Sequence, residues 1–542
     1  MKRHIIFLTI VMIFMSGCGE SFLDRAPKGS LTGDIFGQNE DDALALVTGV
    51  YRNLTKKDRE NTRPSFGDIA SDDAIKGGGS AADVPEIIDI ENFYARPDNS
   101  ICELFFRLSF NGIIDANYAL QKLPTIPIED DKINRMIAEV RFLRAFFYFD
   151  LVRVFGDLPL LTHYVTMDEF QTPRTSREEI GEFIISELEE CVKALPGREQ
   201  INEAKEYGRV TKDAANGLLA RACLFFAFGN NADAPRNQQL LTKAKNACLE
   251  VINAPFGYVL EPDYGKLFRK EGDANKELVY EVIHVESGIN AETGGNIMGI
   301  WMRCRNSGGW GFDCPTLDLV NEFEEGDKRL LYTIYQEGDT FEEEVQSLQG
   351  YTNSGFHARK FFQPKSQRPK SGHDSDINVR EIRLADIYLM YAEALIELNE
   401  NLPVAADYIN KVRYRAMVST PNIDPQADFR HLHDALRNRV VTEEEFETKF
   451  KIRTESQKQM RDALRHERRV EFGIEQQRMF DLIRWRTAET ILPKLQELKD
   501  ESSKPIYGDK GRLFDAAKNY LFPIPQIHID RSNGAMSQNP GY

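Results

Sequence analysis

Residues 138–155, with the sequence AEVRFLRAFFYFDLVRVF, decide the fold of this chain. Apolar residues recur there at spacings of three and four, the period of an α-helix, along one side at Ala138, Phe142, Ala145, Phe149 and Val152. A second side is covered by Leu143, Phe146, Phe147 and Leu151. Because a helix that is apolar on two sides has to lie between neighbours, the stretch predicts a buried helix inside a helical protein.

Two helix pairs are predicted after this stretch. Thr211 can cap a helix that runs to about Phe228, and residues 240–251 form its partner, which ends near Asn253. A second pair covers residues 384–395 and 403–416. Antiparallel pairs of this size with short turns look like tetratricopeptide units, which stack because no unit buries its apolar face alone. The predicted fold is therefore mostly α, a tetratricopeptide-like helix-pair scaffold with long irregular loops and a few short β-strands.

Two stretches lack this helical period. Residues 257–380 are rich in Gly, Asn, Asp and aromatic residues and include a β-like run at 278–285, while residues 66–99 include Gly77-Gly78-Gly79-Ser80. Long irregular segments in a compact protein usually carry function. We therefore expect the binding surface in these two stretches.

The first residues predict export. Lys2 and Arg3 precede an apolar run at 5–14, which is typical of a secretory signal peptide and too short for a permanent transmembrane helix. Met15-Ser16-Gly17-Cys18 resembles the bacterial lipobox, in which the cysteine is acylated and becomes the new N-terminus. The alternative is an ordinary signal peptide that contains a cysteine. The predicted organisation is a signal peptide at 1–17, a lipidated tether at 18–37, an N-terminal helical part at 38–256 and a loop-rich C-terminal part at 257–542 packed closely on it.

Composition excludes several function classes. The formal net charge of -17 argues against a nucleic-acid partner, since phosphate binding depends on clustered Lys and Arg. The sequence contains no HExxH, GxSxG, P-loop or dinucleotide motif, and its cysteine spacing does not match zinc pairs. We expect no catalytic residue, no metal ligand set and no cofactor. A bridge between Cys304 and Cys314, which flank a Gly-rich loop, stays open at this point.

Short motifs follow one another in a fixed order from the predicted lipidated cysteine to the last residue. In chain order they are Cys18 with Phe22-Leu23-Asp24 and Pro27, Ser71-Asp72-Asp73, Arg141-Phe142-Leu143-Arg144-Ala145 through Phe155-Gly156-Asp157-Leu158-Pro159, Gly208-Arg209-Val210-Thr211, Gly309-Trp310-Gly311 with Pro315-Thr316, Tyr391-Ala392-Glu393-Ala394, Glu467-Arg468-Arg469 to Trp485, Pro523-Ile524-Pro525, and Gln538-Asn539-Pro540-Gly541-Tyr542. Together they resemble the SusD/RagB family of outer-membrane nutrient-binding lipoproteins of Bacteroidetes.

This resemblance implies a helical scaffold with a ligand surface built by loops. It also implies a protein that is lipid-anchored in the outer membrane, faces the cell exterior, captures oligosaccharides and acts as a lid on a SusC-like TonB-dependent transporter. The membrane would be contacted through the lipid alone. One departure is that Phe105 and Phe106 fill the positions before Asn117 where Trp and Tyr are expected.

A glycan site needs exposed aromatic rings flanked by amide, carboxylate or guanidinium groups, because sugar rings have apolar faces and hydroxyl edges. Trp301 with Arg303, Arg305 and Asn306 fits that description, and the alternative is a buried loop anchor. Trp310 falls inside a family-like motif, so it is expected to be structural.

The early loop supplies further candidates. Asp72 and Asp73 could bind sugar hydroxyls or a calcium ion that orders the loop, although adjacent aspartates more often initiate turns. Phe66 and Tyr94 bracket this stretch and could add a second aromatic platform.

Acidic residues near the C-terminus could suggest an enzyme. Glu467, Glu471 and Glu475 recur at spacing four beside several arginines, which predicts an ion-pair network rather than a catalytic pair. The predicted function is therefore non-catalytic binding of oligosaccharides or polysaccharides and their delivery to the transporter. The alternatives are a surface glycoside hydrolase and a protein-interaction scaffold without a small ligand of its own.

Overall fold

The computed structural model describes residues 37–165, 171–229, 232–287, 294–342, 344–346, 354–370, 374–421, 427–428, 436 and 439–542. The signal peptide, Cys18 and all of the tether except Gly37 lie outside the described residues. None of the helices in the described ranges is long and apolar enough to cross a bilayer.

Helices form most of the ordered structure, which confirms the predicted mostly α fold. The helices are α1 (Glu40–Tyr51), α2 (Lys57–Pro64), α3 (Pro85–Glu91), α4 (Ser100–Lys122), α5 (Asp130–Phe155), α6 (Arg177–Ala194), α7 (Arg198–Glu203), α8 (Lys212–Ala227), α9 (Gln238–Ile252), α10 (Met298–Met302), α11 (Leu317–Glu322), α12 (Arg329–Thr333), α13 (Leu384–Leu398), α14 (Leu402–Tyr414), α15 (Glu443–Glu445), α16 (Gln457–Phe472), α17 (Arg478–Trp485), α18 (Ala488–Ile491) and α19 (Gln526–Arg531).

The strands are short and pair in small antiparallel sheets. They are β1 (Ala74–Gly77), β2 (Leu158–Pro159), β3 (Arg174–Thr175), β4 (Leu278–Val282), β5 (Phe312–Pro315), β6 (Ile334–Gln336), β7 (Thr340–Phe341), β8 (Glu344–Val345), β9 (Phe356–Ala358), β10 (Val379–Arg383) and β11 (Ala427–Asp428). β1 pairs with β5, β2 with β3, β4 with β10, β6 with β9, and β7 with both β8 and β11.

Helix α5 is the buried helix that the opening stretch predicts. Its residues from Ala138 to Phe155 are nearly all buried, and α4 and α6 pack on it. Its polar residues are bound rather than solvated: Arg144 donates to Glu187 of α6 and, over 2.7 Å, to Asn117 of α4. Charge and amide pairs therefore fix how α5 sits between its neighbours, while the aromatic rings fill the space.

The predicted helix pairs are α8 with α9 and α13 with α14. Thr211 caps α8, because its Oγ1 accepts a hydrogen bond of 3.0 Å from the Ala214 N–H. Gly217 on α8 brings that helix close to the sheet, since a Cβ there would lie 3.1 Å from Ile382 of β10. Contacts run from α4 through α5, α6, α8, α9 and α13 to α14, so each helix is covered by the next as in a helical-repeat stack.

A buried arginine–glutamate network lies where α16 meets the stack. Glu471 accepts from Arg329 and Arg383 over 2.8 Å each and from Arg415 over 2.5 Å. Glu467 binds Arg329 over 2.6 Å. The predicted ion-pair network of Glu467, Glu471 and Glu475 is present, but Glu475 is not on the same helix as the other two glutamates. Glu475 lies beyond the last residue of α16 and reaches Arg383 and Lys360 from the following turn.

His466 extends this charged region toward the surface. Its Nδ1 lies 2.7 Å from Glu322 and its Nε2 lies 3.3 Å from Glu324. Burial disfavours the imidazolium, but the hydrogen bonds to the two carboxylates outweigh burial and raise the pKa of His466 to about 9. The ring is therefore a cation at neutral pH.

We expect His466→Gln to lower the melting temperature at pH 7 and to have little effect at pH 10. A histidine whose folded pKa is raised contributes its full stability below its unfolded pKa of about 6.5, and that stability is lost as pH rises through about 9. Melting temperatures of both proteins from pH 6 to pH 10, measured by scanning fluorimetry, check this. A difference between the two proteins that stays constant across the range would contradict it.

Candidate functional site

The two irregular stretches meet at the β1–β5 sheet. Ala74 pairs with Pro315 and Gly77 with Phe312, so the early loop and the segment after Trp301 share one pair of strands. The Gly78 N–H donates 2.7 Å to the Gly311 carbonyl and continues the contact beyond the strands. Gly77 has a φ of +69°, and a Cβ at that position would lie 2.3 Å from the Gly311 oxygen. The glycine run is therefore required for this close approach.

Polar and aromatic side chains surround this sheet at the surface. Arg305 pairs with Asp83, and the guanidinium of Arg305 packs against Gly79. Asn306 is exposed beside it, and Trp310 is half-buried four residues further on. Lys76 closes the early loop from inside, since its Nζ donates 2.9 Å to the Ser80 carbonyl.

A second group lies where the 507–512 segment packs on the same sheet. Tyr507 packs in a small apolar cluster with Ile75 of β1 and Cys314 of β5. Nearby in sequence, Asp509 accepts a hydrogen bond of 3.0 Å from the Tyr94 hydroxyl and also pairs with Arg512. The Tyr94 side chain is 44% exposed. We call the residues around the sheet the loop surface: Asp83, Tyr94, Arg305, Asn306, Trp310 and Asp509.

The prediction that Trp301 is an exposed platform is wrong. Trp301 is 3% exposed and lies in α10, where its ring stacks on Phe312 of β5 with 5.1 Å between centroids. Arg303 is also buried, at 5% exposure. Of that predicted group, Arg305 and Asn306 do reach the surface. The β1–β5 pairing covers Trp301, because it brings Phe312 over the ring.

Asp72 and Asp73 are buried ion-pair partners and not exposed loop side chains. Both are 0% exposed. Asp72 accepts two hydrogen bonds of 2.8 Å from Arg478, and Arg469 binds both aspartates over 3.0 and 2.8 Å. Burial alone would raise the pKa of Asp72, but the two arginines outweigh it and hold that pKa well below its usual range. These carboxylates anchor the early loop to α16 and α17.

Phe66 is likewise a core residue and not a platform. It is 1% exposed and lies 5.0 Å, between ring centroids, from both Phe105 and Phe522. Phe105 and Phe106, which depart from the family-like pattern, are buried as well. The aromatic residues at those two positions therefore serve packing.

The cysteines and acids of the described residues form no further centre. Cys304 and Cys314 are buried thiols that are not joined in a disulfide, with the Cys304 sulfur 3.3 Å from Gln346 and the Cys314 sulfur 3.6 Å from His357. Within the described ranges, no group of three or more His, Cys, Asp or Glu side chains could hold a metal ion. The bridge between Cys304 and Cys314, which the sequence leaves open, is not formed.

An apolar cleft of about 610 Å³ lies away from the predicted site residues, between α4 and α19. Phe106, Phe110 and Leu161 line it, and the His528 ring packs 4.7 Å from that of Phe106. Its volume would suit a small ligand. It shares no residue with the loop surface.

Comparison with known proteins shows similarity along most of the chain. A family model described as "SusD family" matches residues 277–542, and one described as "Starch-binding associating with outer membrane" matches residues 21–224. A SusD-like protein P2 of Formosa agariphila is 24% identical over the full length of both chains. The starch-binding protein SusD of Bacteroides thetaiotaomicron is 27% identical over 49% of this chain and 41% of its own.

Solved structures show the same fold. A laminarin-binding SusD-like protein has a TM-score of 0.70 at 24% identity and covers 93% of this chain and 100% of its own. Surface glycan-binding protein A of Bacteroides thetaiotaomicron, in complex with laminarihexaose, has a TM-score of 0.73 at 20% identity and covers 92% and 99%.

Proposed function

The chain belongs to the SusD/RagB family, and from that premise we propose that it binds oligosaccharide nutrients at the cell surface without cleaving them. It then passes them to a SusC-like TonB-dependent transporter in the outer membrane, where lipid on Cys18 holds it. Relatives whose names say that they bind starch or laminarin support a glycan as the ligand. The name of the N-terminal family model supports a location at the outer membrane. The family resemblance supports a transporter as the partner, and the lipobox-like sequence around Cys18 supports the lipid anchor.

One observation carries the glycan proposal. Each of the two groups of the loop surface presents one aromatic side chain that reaches solvent beside groups that bind hydroxyls: Tyr94 with Asp509, and Trp310 on the loop with Arg305 and Asn306. Aromatic faces match the apolar faces of sugar rings, and guanidinium, amide and carboxylate groups match their edges. A rigid two-stranded sheet beneath holds both loops in place without a ligand, which reduces the entropy lost on binding.

The buried acids support a binding protein over a hydrolase. Glu467 and Glu471, the carboxylates that could suggest a catalytic pair, are 0% exposed and bound to arginines. A glycosidase needs two carboxyl groups on either side of a bound sugar, one of them able to carry a proton. Burial raises the pKa of Glu471 and three arginines outweigh that effect, so the pKa lies well below its usual range. We expect incubation of the protein with polysaccharides to release no shorter products.

We expect Tyr94→Ala to weaken binding to a recognised polysaccharide by about five- to tenfold, since a ring contact contributes about 1 kcal/mol beyond the area it buries. Tyr164→Ala is the matched control, because Tyr164 is 43% exposed but packs against Tyr118 on α4. Affinity electrophoresis in gels containing laminarin, starch and other polysaccharides measures the mobility of the wild type and both variants.

Three results would count against the proposal. Equal loss in Tyr94→Ala and Tyr164→Ala would place binding elsewhere. A wild-type protein that is retarded by no glycan would remove the receptor function. In that case, co-purification with an outer-membrane transporter would favour the scaffold alternative.

A further inference from the structure

Arg303 is a buried cation that forms no ion pair with any residue the structure describes. It is 5% exposed, and its Nη2 makes one long hydrogen bond, 3.4 Å to the Gly308 carbonyl. Its Nε is buried and makes no hydrogen bond. Within the described residues, no carboxylate lies within 4.0 Å of its guanidinium. Other buried arginines differ: Arg329 and Arg383 each bind two or more carboxylates.

The surroundings compensate this charge only in part: the charge of Glu344 favours the guanidinium, but Glu344 forms no ion pair with Arg303. Arg368 is the neighbouring cation, and its guanidinium already pairs with Glu344. Burial, and after it the charge of Arg368, lower the pKa of Arg303 to about 10. An arginine remains charged at neutral pH, so the site carries a positive charge that is only partly compensated, in an environment that disfavours it. Binding of an anion would therefore stabilise the buried guanidinium.

Arg303 lies directly beneath the loop surface. The Arg303 carbonyl accepts a hydrogen bond of 2.9 Å from the Gly311 N–H, and Gly309 packs against the Arg303 backbone. The loop between them therefore folds back over Arg303 and carries Arg305, Asn306 and Trp310 at the surface. The Arg303 Nη1 donates to no described residue and is not among the buried unpaired atoms, so the 5% of the residue that stays exposed includes this nitrogen.

We propose that Arg303 binds an acidic group of the cargo, so that the preferred ligand is a glycan that carries carboxylate or sulfate groups. This inference rests on the proposed glycan-binding function and adds the substrate class to it. A guanidinium offers a planar fork of N–H groups that matches a carboxylate or a sulfate in two-point contact. The half-buried Trp310 on the same loop would then contact the sugar ring that bears the acidic group.

Net charge makes the inference specific. The chain carries a formal net charge of -17, which repels polyanions at long range. Retention by an acidic polysaccharide therefore requires a local cationic site. A structural arginine in this interior instead pairs with a carboxylate, as Arg144 does with Glu187.

The experiment uses the mature chain in gels that contain polygalacturonate, dextran sulfate or neutral laminarin. We expect the wild type to be retained by at least one of the two acidic polymers more strongly than by laminarin. Arg303→Gln should weaken that retention by at least tenfold, because a hydrogen bond between two charged groups is lost. The two acidic gels distinguish a carboxylate ligand from a sulfate ligand.

Arg96→Gln is the matched control, because it removes the same charge from a side chain that is 76% exposed and paired with Asp98. It should change retention little. Melting temperature without ligand gives a second readout: Arg303→Gln should leave it unchanged or raise it, since a buried charge without a partner is removed. The comparison of melting temperatures does not depend on how strongly a glycan binds.

Two outcomes would overturn the inference while leaving the glycan proposal intact. One is wild-type retention by laminarin and by neither acidic polymer. The other is equal retention of Arg303→Gln and Arg96→Gln in the acidic gels. A wild type that binds none of these or any other polysaccharide would instead remove the proposed function itself.

Discussion

Glu471→Ala is expected to lower the free energy of unfolding by about 3–5 kcal/mol, the cost of breaking a buried ion pair by removing one partner. Glu471 is 0% exposed and binds Arg329, Arg383 and Arg415. Its loss leaves three guanidinium groups with fewer negative charges in the interior. These arginines come from α12, β10 and the end of α14, so the variant should loosen the junction between α16 and the helix stack.

Glu447→Ala is the control for this prediction. Glu447 is 53% exposed and pairs with Lys451 one helical turn away. A surface pair of this kind contributes little, so its melting temperature should match that of the wild type. Scanning calorimetry of the three proteins at pH 7 measures the difference. If Glu471→Ala and Glu447→Ala had the same melting temperature, the ion-pair network would not stabilise the junction between α16 and the helix stack.

Gly77→Ala is expected to destabilise the protein by about 2–4 kcal/mol and to abolish glycan retention together with it. The new Cβ would lie 2.3 Å from the Gly311 oxygen and 2.6 Å from the Cys314 sulfur, and the φ of +69° adds backbone strain. The carbonyl belongs to the backbone and cannot rotate away, so β1 and β5 have to separate. The loop surface depends on that pairing.

Gly49→Ala provides the contrast, because a Cβ on this exposed residue of α1 would have nothing within 4 Å. It should stabilise the protein by about 0.5–1 kcal/mol, since alanine favours helix more than glycine does. Urea unfolding of both variants, followed by retention in a glycan gel, tests the pair. Wild-type binding by Gly77→Ala would show that the β1–β5 contact does not shape the surface.

The helical scaffold could be predicted because its signals are local. Residues 138–155 show the helical period on two sides, and Thr211 caps α8 as its position before the apolar run predicts. The start of α9 at Gln238 and the end of α13 at Leu398 differ from the predicted bounds by a few residues only. Packing then follows from apolar faces that have to be covered.

The site could be predicted only in part, because exposure depends on partners distant in sequence. Trp301 lies among glycine and polar residues, which favoured an exposed ring, but Phe312 covers it once β5 pairs with β1. Trp310, which is expected to be structural, does pack against the main core, and it stays half-buried between two glycines on the loop surface.

Asp72 and Asp73 show the same limit. Two adjacent aspartates in a loop predict a turn or a ligand site, and nothing local indicates an arginine almost four hundred residues away. The spacing of Glu467, Glu471 and Glu475 beside several arginines predicts an ion-pair network, but it does not identify these aspartates as partners of Arg469 and Arg478. Ionic partners between distant segments are set by tertiary packing, which a single sequence does not reveal.

The bond between Asp72 and Arg478 joins residues 406 positions apart. Closing so large a loop costs conformational entropy that is recovered only when both ends are ordered, so we expect this contact to form late in folding. The helices, whose contacts are local, are expected to form earlier. The proposed glycan-binding surface would therefore be complete only in molecules in which the early loop has docked on α16 and α17.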